Sequence, residues 1–325
     1  MKRQIGLTGV TGFVGSTLLK KVAERGESGV VFVRRESELV NGFKKIPIEG
    51  IHGTTDYGNS LGNLDCIIHV AARVHVMKES SVDALEKYRD VNTFGTLNLA
   101  RQAARSEVRR FIFISSIKVN GESTEIGKPF IADEVIIPVD PYALSKFEAE
   151  EGLRKISAES RMEVVIIRPP LVYGPGVGGN FASMLKWVYR GVPLPLGGIR
   201  ENRRSLVSIN NLTDLIYLCV DHPLAAGQTF LVSDDDDLSS ATLLTNLALA
   251  FNVPDRSFSI PDSWIKILAF LLRKPQITQR LFSSLQVDIT KTKKMLNWSP
   301  KVDPMATLKE TTAHYRKSIL KTDHE

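Results

Sequence analysis

A glycine-rich turn near the N-terminus constrains the fold of this chain more than any other stretch. Thr8-Gly9-Val10-Thr11-Gly12-Phe13-Val14-Gly15 follows the apolar run Ile5-Gly6-Leu7 and precedes an amphipathic segment that begins at Ser16. The order strand, turn, helix is typical of the first unit of a parallel sheet. Glycine permits the tight bend, and backbone N–H groups and the positive end of the helix dipole then face an anion. The turn therefore predicts a phosphate-binding site, with G-x-x-G-x-x-G spacing instead of the commoner G-x-G-x-x-G.

Strands and helices alternate along the first half of the chain. Apolar runs predict strands at Gly29–Val33, Lys45–Ile48, Asp65–Ala72, Arg109–Ser116 and Met162–Arg168, and one long helix, bent near Gly95, at Ser81–Arg105. This alternation predicts an α/β fold with a doubly wound parallel sheet. Ligands of such sheets bind at the carboxyl ends of the strands. We therefore expect Ala71, Ala72, Ser115 and Ser116 at the site.

The residues that end the second predicted strand bear on the choice of cofactor. In a dinucleotide-binding sheet, an acid at this point accepts a hydrogen bond from the 2′-hydroxyl of NAD, and an arginine accommodates the 2′-phosphate of NADP. Arg34 is the first residue after the strand, and Arg35 and Glu36 follow. Arg34 favours NADP. A ribose contact from Glu36 would favour NAD, and a solvated basic turn is the plain alternative.

Tyr142 and Lys146 form the second chemical feature. They are four residues apart on a helix that begins at Pro141, so they share one helix face. A phenol has a pKa of about 10, and a neighbouring ammonium group is expected to lower it by stabilising the phenolate. Ser116, at a strand end, can hydrogen-bond the substrate oxygen with which Tyr142 exchanges a proton. The set predicts proton exchange with an alcohol or sugar oxygen while a hydride moves to or from nicotinamide.

Composition limits the class of protein. The 325 residues are 43% hydrophobic and carry a net charge of +6, which suits a globular protein with a large core. The positive charge is diffuse, so no nucleic-acid interface is expected. Cys66 and Cys219 lie in apolar runs and are expected to be buried thiols in a reducing compartment. Because metal-ligand spacing, a signal peptide and a long apolar run are all missing from the sequence, we expect a cytoplasmic protein with no metal and no transmembrane segment.

The sequence pattern changes near Gly176. The short elements predicted after it are strands at Leu206–Ile209 and Thr229–Val232 and a helix from Ser239. We predict a dinucleotide-binding domain over 1–175 and a smaller α+β substrate domain over 176–325, interleaved, with some strands returning to the main sheet. Asp234–Asp237 is expected to be a solvated loop. The apolar stretch 264–272 is a membrane-surface helix or a buried or partner-facing one, and its thin polar face favours the latter.

These features, with further motifs, resemble the extended short-chain dehydrogenase/reductase family. Besides the glycine turn, the matching segments are His69-Val70-Ala71-Ala72, Val91-Asn92, Ser115-Ser116 and Tyr142-Ala143-Leu144-Ser145-Lys146. Arg168-Pro169-Pro170-Leu171-Val172-Tyr173-Gly174-Pro175-Gly176 and Leu296-Asn297-Trp298-Ser299-Pro300 are similar to its nucleotide-sugar epimerase/dehydratase branch. The resemblance covers nearly the whole chain. It implies a Rossmann domain, a C-terminal domain that grips a nucleoside diphosphate sugar, and a homodimer formed through helices around 85–105 and 142–156.

The resemblance also implies roles for individual residues. Ser116, Tyr142 and Lys146 match the catalytic residues of the family. The expected cofactor-binding residues are Gly9, Thr11, Gly12, Phe13, Val14, Gly15, Arg34, Ala71, Ala72, Asn92, Tyr142, Lys146 and Pro169. Arg34 is included because of its position at the strand end. The expected substrate-binding residues are Ser116, Asn180, Arg204 and Arg280. The guanidinium groups of the two arginines suit a UDP diphosphate.

Two reactions remain open within this family. The 4,6-dehydratases carry Asp-Glu after the catalytic hydroxyl, where this chain has Ile117 and Lys118, so dehydration is not expected. Arg34 favours reduction of a UDP-4-keto-6-deoxy-N-acetylhexosamine with NADPH, as in bacterial lipopolysaccharide sugar pathways. The alternative is a UDP-glucose or UDP-N-acetylglucosamine 4-epimerase, which keeps its NAD bound. A non-catalytic nucleotide sensor is disfavoured because Tyr142 and Lys146 are both present.

Overall fold

Strands and helices alternate through most of the computed structural model, which describes residues 2–34, 42–74, 81–261, 263–264 and 282–322. The strands are β1 (Gln4–Thr8), β2 (Ser28–Val33), β3 (Phe43–Pro47), β4 (Cys66–His69), β5 (Arg110–Ile114), β6 (Glu163–Arg168), β7 (Leu171–Tyr173), β8 (Leu206–Ser208) and β9 (Thr229–Leu231). The helices are α1 (Phe13–Glu24), α2 (Ser81–Tyr88), α3 (Thr96–Arg105), α4 (Pro141–Glu159), α5 (Gly179–Tyr189), α6 (Ile209–Cys219), α7 (Ser240–Phe251), α8 (Thr290–Leu296) and α9 (Pro304–Thr322). A π-helical segment, Arg89–Gly95, joins α2 to α3.

Seven strands form one parallel sheet in the order β3-β2-β1-β4-β5-β6-β9. The chain runs outward from β1 to β3 and then returns to place β4 on the other side of β1. At such a reversal of strand order, a crevice opens at the carboxyl ends of the strands. Thr8, the last residue of β1, is in register with Phe32 of β2 and His69 of β4, so the three strand ends are aligned. The predicted doubly wound parallel sheet is confirmed.

Helices cover both faces of this sheet, because successive strand residues point to opposite sides. In β5, Ile112 and Ile114 belong to the core that α1 and α6 cover. Phe111 and Phe113 belong to the core beneath α3 and α4. Both faces are therefore apolar, and polar side chains that could do chemistry are found at the strand ends.

A smaller core lies in the C-terminal part of the chain. Helices α5, α7 and α9 pack around Tyr173, Leu247 and Phe251. β7 and β8 pair as a separate two-stranded sheet, and β9 returns to the large sheet beside β6. Because β7 follows directly from the carboxyl end of β6, the small sheet lies next to the edge of the large sheet where ligands bind.

The helix predicted over Ser81–Arg105 consists of three parts in the structure. α2 and α3 flank the π-helical segment, which ends at Gly95. A Cβ atom on Gly95 would lie 2.6 Å from the carbonyl oxygen of Ile51. Gly95 therefore permits a close approach between this segment and the loop after β3.

The acidic cluster that precedes α7 is not simply a solvated loop. Asp234 is buried and accepts hydrogen bonds from the Tyr173 hydroxyl and the Asn211 amide, both at 2.8 Å. The prediction is wrong for this residue because its carboxylate joins β7 to the start of α6. Burial raises the pKa of Asp234, and these hydrogen bonds oppose the rise. Ser239 caps α7 by accepting from the Thr242 N–H at 3.0 Å.

The described residues contain neither a membrane-spanning helix nor a cluster of metal ligands. Among the helices of the described ranges, none is long and apolar enough to cross a membrane. In the same ranges, no three His, Cys, Asp or Glu side chains are grouped as metal ligands would be. Residues 265–272 of the predicted apolar helix lie outside the described residues. Cys66 and Cys219 are buried free thiols.

Candidate active site

The glycine turn brings β1 and α1 closer together than side chains would allow. Gly9 has a φ of 72°, and a Cβ atom on it would lie 2.7 Å from the Ala71 nitrogen. A Cβ atom on Gly15 would lie 2.1 Å from the Gly9 carbonyl oxygen. The N-cap of α1, Gly12, is extended and offers no capping side chain, and Thr11 and Gly12 are exposed. The first-turn N–H groups of α1 can therefore receive a pyrophosphate, and the turn fits a dinucleotide.

A buried histidine supports the other wall of the crevice. His69 Nδ1 and Nε2 lie 2.8 and 2.9 Å from the hydroxyls of Thr8 and Thr96. The Thr8 hydroxyl also accepts from the Ala71 N–H at 3.2 Å. Burial, with a smaller effect from Lys146, lowers the pKa of His69 to about 3, so the ring is neutral at physiological pH. This network fixes the segment that carries the half-buried Ala71 and Ala72.

Asn92 lies on the π-helical segment and is completely buried. Its amide accepts from the Arg73 N–H at 2.8 Å and donates to the Arg73 carbonyl at 3.1 Å. It also donates to the Ser145 hydroxyl at 3.0 Å. Asn92 thereby ties the segment after β4 to the helix that carries Tyr142. Sequence reasoning singled out Asn92 but did not foresee this bridging position.

Ser116, Tyr142 and Lys146 come together at the carboxyl end of β5. Asp140 caps α4 by accepting from the Ala143 N–H at 2.9 Å, which places Tyr142 in the first turn. The Ser116 hydroxyl is hydrogen-bonded to Tyr142. Lys146 is 1% exposed, donates from Nζ to the Ile114 carbonyl at 2.9 Å and lies 4.4 Å from the centre of the Phe113 ring.

The electrostatics of this group differ from the sequence-based expectation. Burial raises the pKa of Tyr142 to about 12, and the hydrogen bond from Ser116 only partly offsets the rise. The expected lowering by Lys146 is absent, since the ammonium group is bonded to the Ile114 carbonyl. Burial also lowers the pKa of Lys146 to about 7. Both groups therefore have a weakened preference for their charged forms.

The remaining predicted cofactor residues lie at strand ends. Arg34 is exposed directly after β2. Pro169 is buried directly after β6, and its carbonyl accepts from the Ile117 N–H at 2.9 Å. That bond holds the turn after Ser116 against the end of β6. Phe13 and Val14, in the first turn of α1, are half-buried.

The predicted substrate residues lie beside the small sheet. Asn180 is exposed in the first turn of α5, a few residues after β7. Arg204, half-buried just before β8, donates from Nη1 to the Ser283 carbonyl at 3.0 Å. Its backbone pairs with Leu238 and Leu285. Arg280 lies outside the described residues.

Comparison with known proteins identifies the group to which this geometry belongs. The model of the NAD dependent epimerase/dehydratase family matches residues 5–233. A UDP-glucose 4-epimerase of Vibrio cholerae is 48% identical over 300 residues, which is 92% of each chain. Two solved structures share the fold over 97% of this chain and 99% of theirs. They are a Thermotoga maritima UDP-glucose 4-epimerase with UDP-glucose, at a TM-score of 0.77 and 22% identity, and a Bacillus cereus UDP-glucuronic acid 4-epimerase with NAD, at 0.78 and 20%. The chain is therefore an enzyme of the NAD-dependent epimerase/dehydratase family.

Proposed function

We propose that this enzyme inverts the configuration at C4 of a UDP-hexose, with UDP-glucose or UDP-N-acetylglucosamine as substrate and NAD as cofactor. The observation that carries the proposal is the 48% identity with the Vibrio cholerae UDP-glucose 4-epimerase over nearly the full length of both chains. The 4-keto reduction that Arg34 favoured is the weaker candidate, because the comparisons supply relatives of the epimerase kind for nearly the whole chain.

Tyr142 is the proton carrier in this proposal. In its phenolate form Tyr142 takes the proton of the sugar 4-hydroxyl, and the phenol so formed later returns that proton to the same oxygen. The Ser116 hydroxyl, already bonded to Tyr142, donates to that oxygen as charge develops on it. Bound NAD supplies the hydride acceptor and donor at C4. We assign the buried Lys146, which lies one helical turn from Tyr142, to the cofactor side of the site.

The same proposal assigns the cofactor to the crevice between β1 and β4. Gly9, Gly12 and Gly15 give the pyrophosphate access to the first turn of α1. Thr11, Phe13 and Val14 would hold the pyrophosphate, and Ala71, Ala72, Asn92 and Pro169 would hold the rest of the dinucleotide. The UDP diphosphate is assigned to Asn180 and Arg204, whose donors flank the small sheet.

Removal of the Tyr142 hydroxyl tests the proposed chemistry. Purified enzyme and UDP-glucose, with no added cofactor, should yield UDP-galactose, which chromatography detects. Tyr142→Phe should lower this turnover by roughly 10²–10⁴-fold, because the ring stays in place while the proton carrier is lost. Bound NAD, measured after denaturation, should remain.

Tyr315→Phe is a matched control. Tyr315 contacts Tyr189 and Phe251 in the C-terminal core, so its loss of a hydroxyl should leave turnover unchanged. Near-native turnover of Tyr142→Phe would remove Tyr142 from the chemistry. Failure to convert either UDP-hexose, together with consumption of added NADPH when a UDP-4-keto sugar is supplied, would replace epimerisation by reduction.

A further inference from the structure

A glutamate beneath the catalytic group is fully buried. Glu150 lies on α4, one helical turn after Lys146, and its side chain is 0% exposed. Its carboxylate accepts from the Ser115 hydroxyl at 2.6 Å and from Arg168 Nε at 2.9 Å. Arg154 adds a longer contact, at 3.2 Å, from the surface. A buried carboxylate is retained only where such donors offset the loss of its hydration.

The partners of Glu150 are the residues that precede the site on two strands. Ser115 is the neighbour of Ser116, and Arg168 directly precedes Pro169. Arg168 is itself 4% exposed and also donates to the Asn120 side chain at 2.9 Å. The carboxylate therefore joins α4 to the ends of both β5 and β6. Any displacement of Glu150 would move the strand end that carries the Ser116 hydroxyl.

Glu150 is also the carboxylate that acts on Lys146. Burial lowers the pKa of Lys146, and the negative charge of Glu150 opposes this effect. Among the described residues, Tyr142 on the same helix and His69 on β4 are also near Lys146, and burial favours the uncharged form of each. Arg168, on β6, carries a positive charge that is directed to Glu150.

We propose that Glu150 is a positioning residue for the reaction proposed above: it holds the Ser116 strand end in place and supplies the negative charge that keeps an ammonium group at Lys146. Only the effect of Glu150 on turnover rests on the proposed function. Its effects on the Ser116 strand end and on the charge of Lys146 can be measured without turnover.

The test is a pH titration of Lys146 in the NAD-loaded enzyme. NMR of enzyme with isotope-labelled lysine follows the Cε–Hε signal of Lys146, which is assigned by its loss in Lys146→Arg. In Glu150→Gln, the pKa of Lys146 should fall below the wild-type value, because the opposing charge is gone while a hydrogen-bonding side chain of similar size remains. Glu151→Gln is the matched control, since Glu151 neighbours Glu150 on α4 but is 47% exposed and bonded to Arg154.

The activity of the same variants gives the second readout. The alkaline limb of the kcat/KM profile should move to lower pH in Glu150→Gln, with a loss of roughly tenfold or more at about pH 8.5 and a smaller loss at about pH 6, since one pKa unit corresponds to a tenfold change. Glu150→Asp should restore most of the wild-type profile, and Glu151→Gln should not move it.

An unchanged Lys146 titration in Glu150→Gln would overturn the proposal, as would an equal loss of activity at every pH. If that variant does not fold because Arg168 is left unpaired, Glu150→Gln/Arg168→Gln is compared with Arg168→Gln, and the pKa of Lys146 must be lower in the double variant, since the two differ only in the charge of Glu150. A lowered Lys146 pKa in an enzyme with no epimerase activity would leave this inference standing and refute the proposed function.

Discussion

At the scale of single residues, Arg34 bears on the choice between NAD and NADP. It is exposed at the carboxyl end of β2, next to the crevice between β1 and β4. A guanidinium group can bond a 2′-phosphate, or it can lie flat against an adenine ring. The sequence favoured the first role and hence NADP. The NAD proposed above carries no 2′-phosphate, so it gives no support to the first role of Arg34.

Arg34→Asp separates these two roles of the arginine. We expect the unmodified enzyme to bind NAD more tightly than NADP. A carboxylate at position 34 repels a 2′-phosphate, so NADP affinity should fall by at least roughly tenfold. It can accept from the ribose hydroxyls, so NAD affinity should change by less than about threefold. Calorimetry with both dinucleotides measures this.

Two other outcomes of that titration would revise the cofactor assignment or the role of Arg34. Tighter NADP binding by the unmodified enzyme would contradict NAD as the cofactor and restore reduction as the leading function. An equal loss for NAD and NADP in Arg34→Asp would mean that Arg34 contributes through stacking on the adenine, since that contact is common to both dinucleotides.

At the scale of elements, the close packing of α1 against β1 shapes the candidate anion site. Glycines set the distance between α1 and β1. A methyl group on Gly15 would overlap the Gly9 carbonyl, which belongs to the backbone and cannot rotate away. The helix must then shift along its axis or tilt from the sheet. Either movement withdraws the first-turn N–H groups from the pyrophosphate.

Gly15→Ala should therefore weaken NAD binding by roughly tenfold or more, and it should also lower stability by about 1–3 kcal/mol, the usual cost of overpacking. Calorimetry gives the affinity, and denaturant unfolding gives the stability. Gly62→Ala is the control, because Gly62 has a φ of −60° and its nearest contact would be an ordinary 3.4 Å from the Asn59 carbonyl. Native NAD affinity in Gly15→Ala would place the pyrophosphate away from this turn.

The elements that the sequence predicted are those with local signals. The central strands of the main sheet carry apolar runs, and Ser116, Tyr142 and Lys146 could be found from strand ends and helical spacing. The Glu150–Arg168 pair could not be found in this way, because its members are 18 residues apart on different elements. A glutamate on a helix is normally exposed. The raised pKa of Tyr142 was also missed, since burial depends on tertiary packing that no spacing reveals.

At the scale of the whole molecule, one outer layer is a candidate for self-association. α2, the π-helical segment, α3 and α4 pack against one another on one face of the large sheet. They coincide with the helices around 85–105 and 142–156 through which the family resemblance implied a homodimer. Phe94, in the π-helical segment, is 54% exposed in the single chain. An exposed phenylalanine on such a face is a suitable anchor for a second copy.

We expect the enzyme to be a dimer in solution and Phe94→Glu to convert it largely to monomer. The substitution would bury an unpaired carboxylate in the interface, which weakens association by roughly tenfold or more. Light scattering coupled to size-exclusion chromatography measures the mass. Leu249→Glu is the matched control, since Leu249 is 63% exposed on α7, away from this layer, and a charge there should leave the dimer intact. If Leu249→Glu dissociates the dimer and Phe94→Glu does not, the copies meet through the C-terminal part, and Phe94 contributes nothing to assembly.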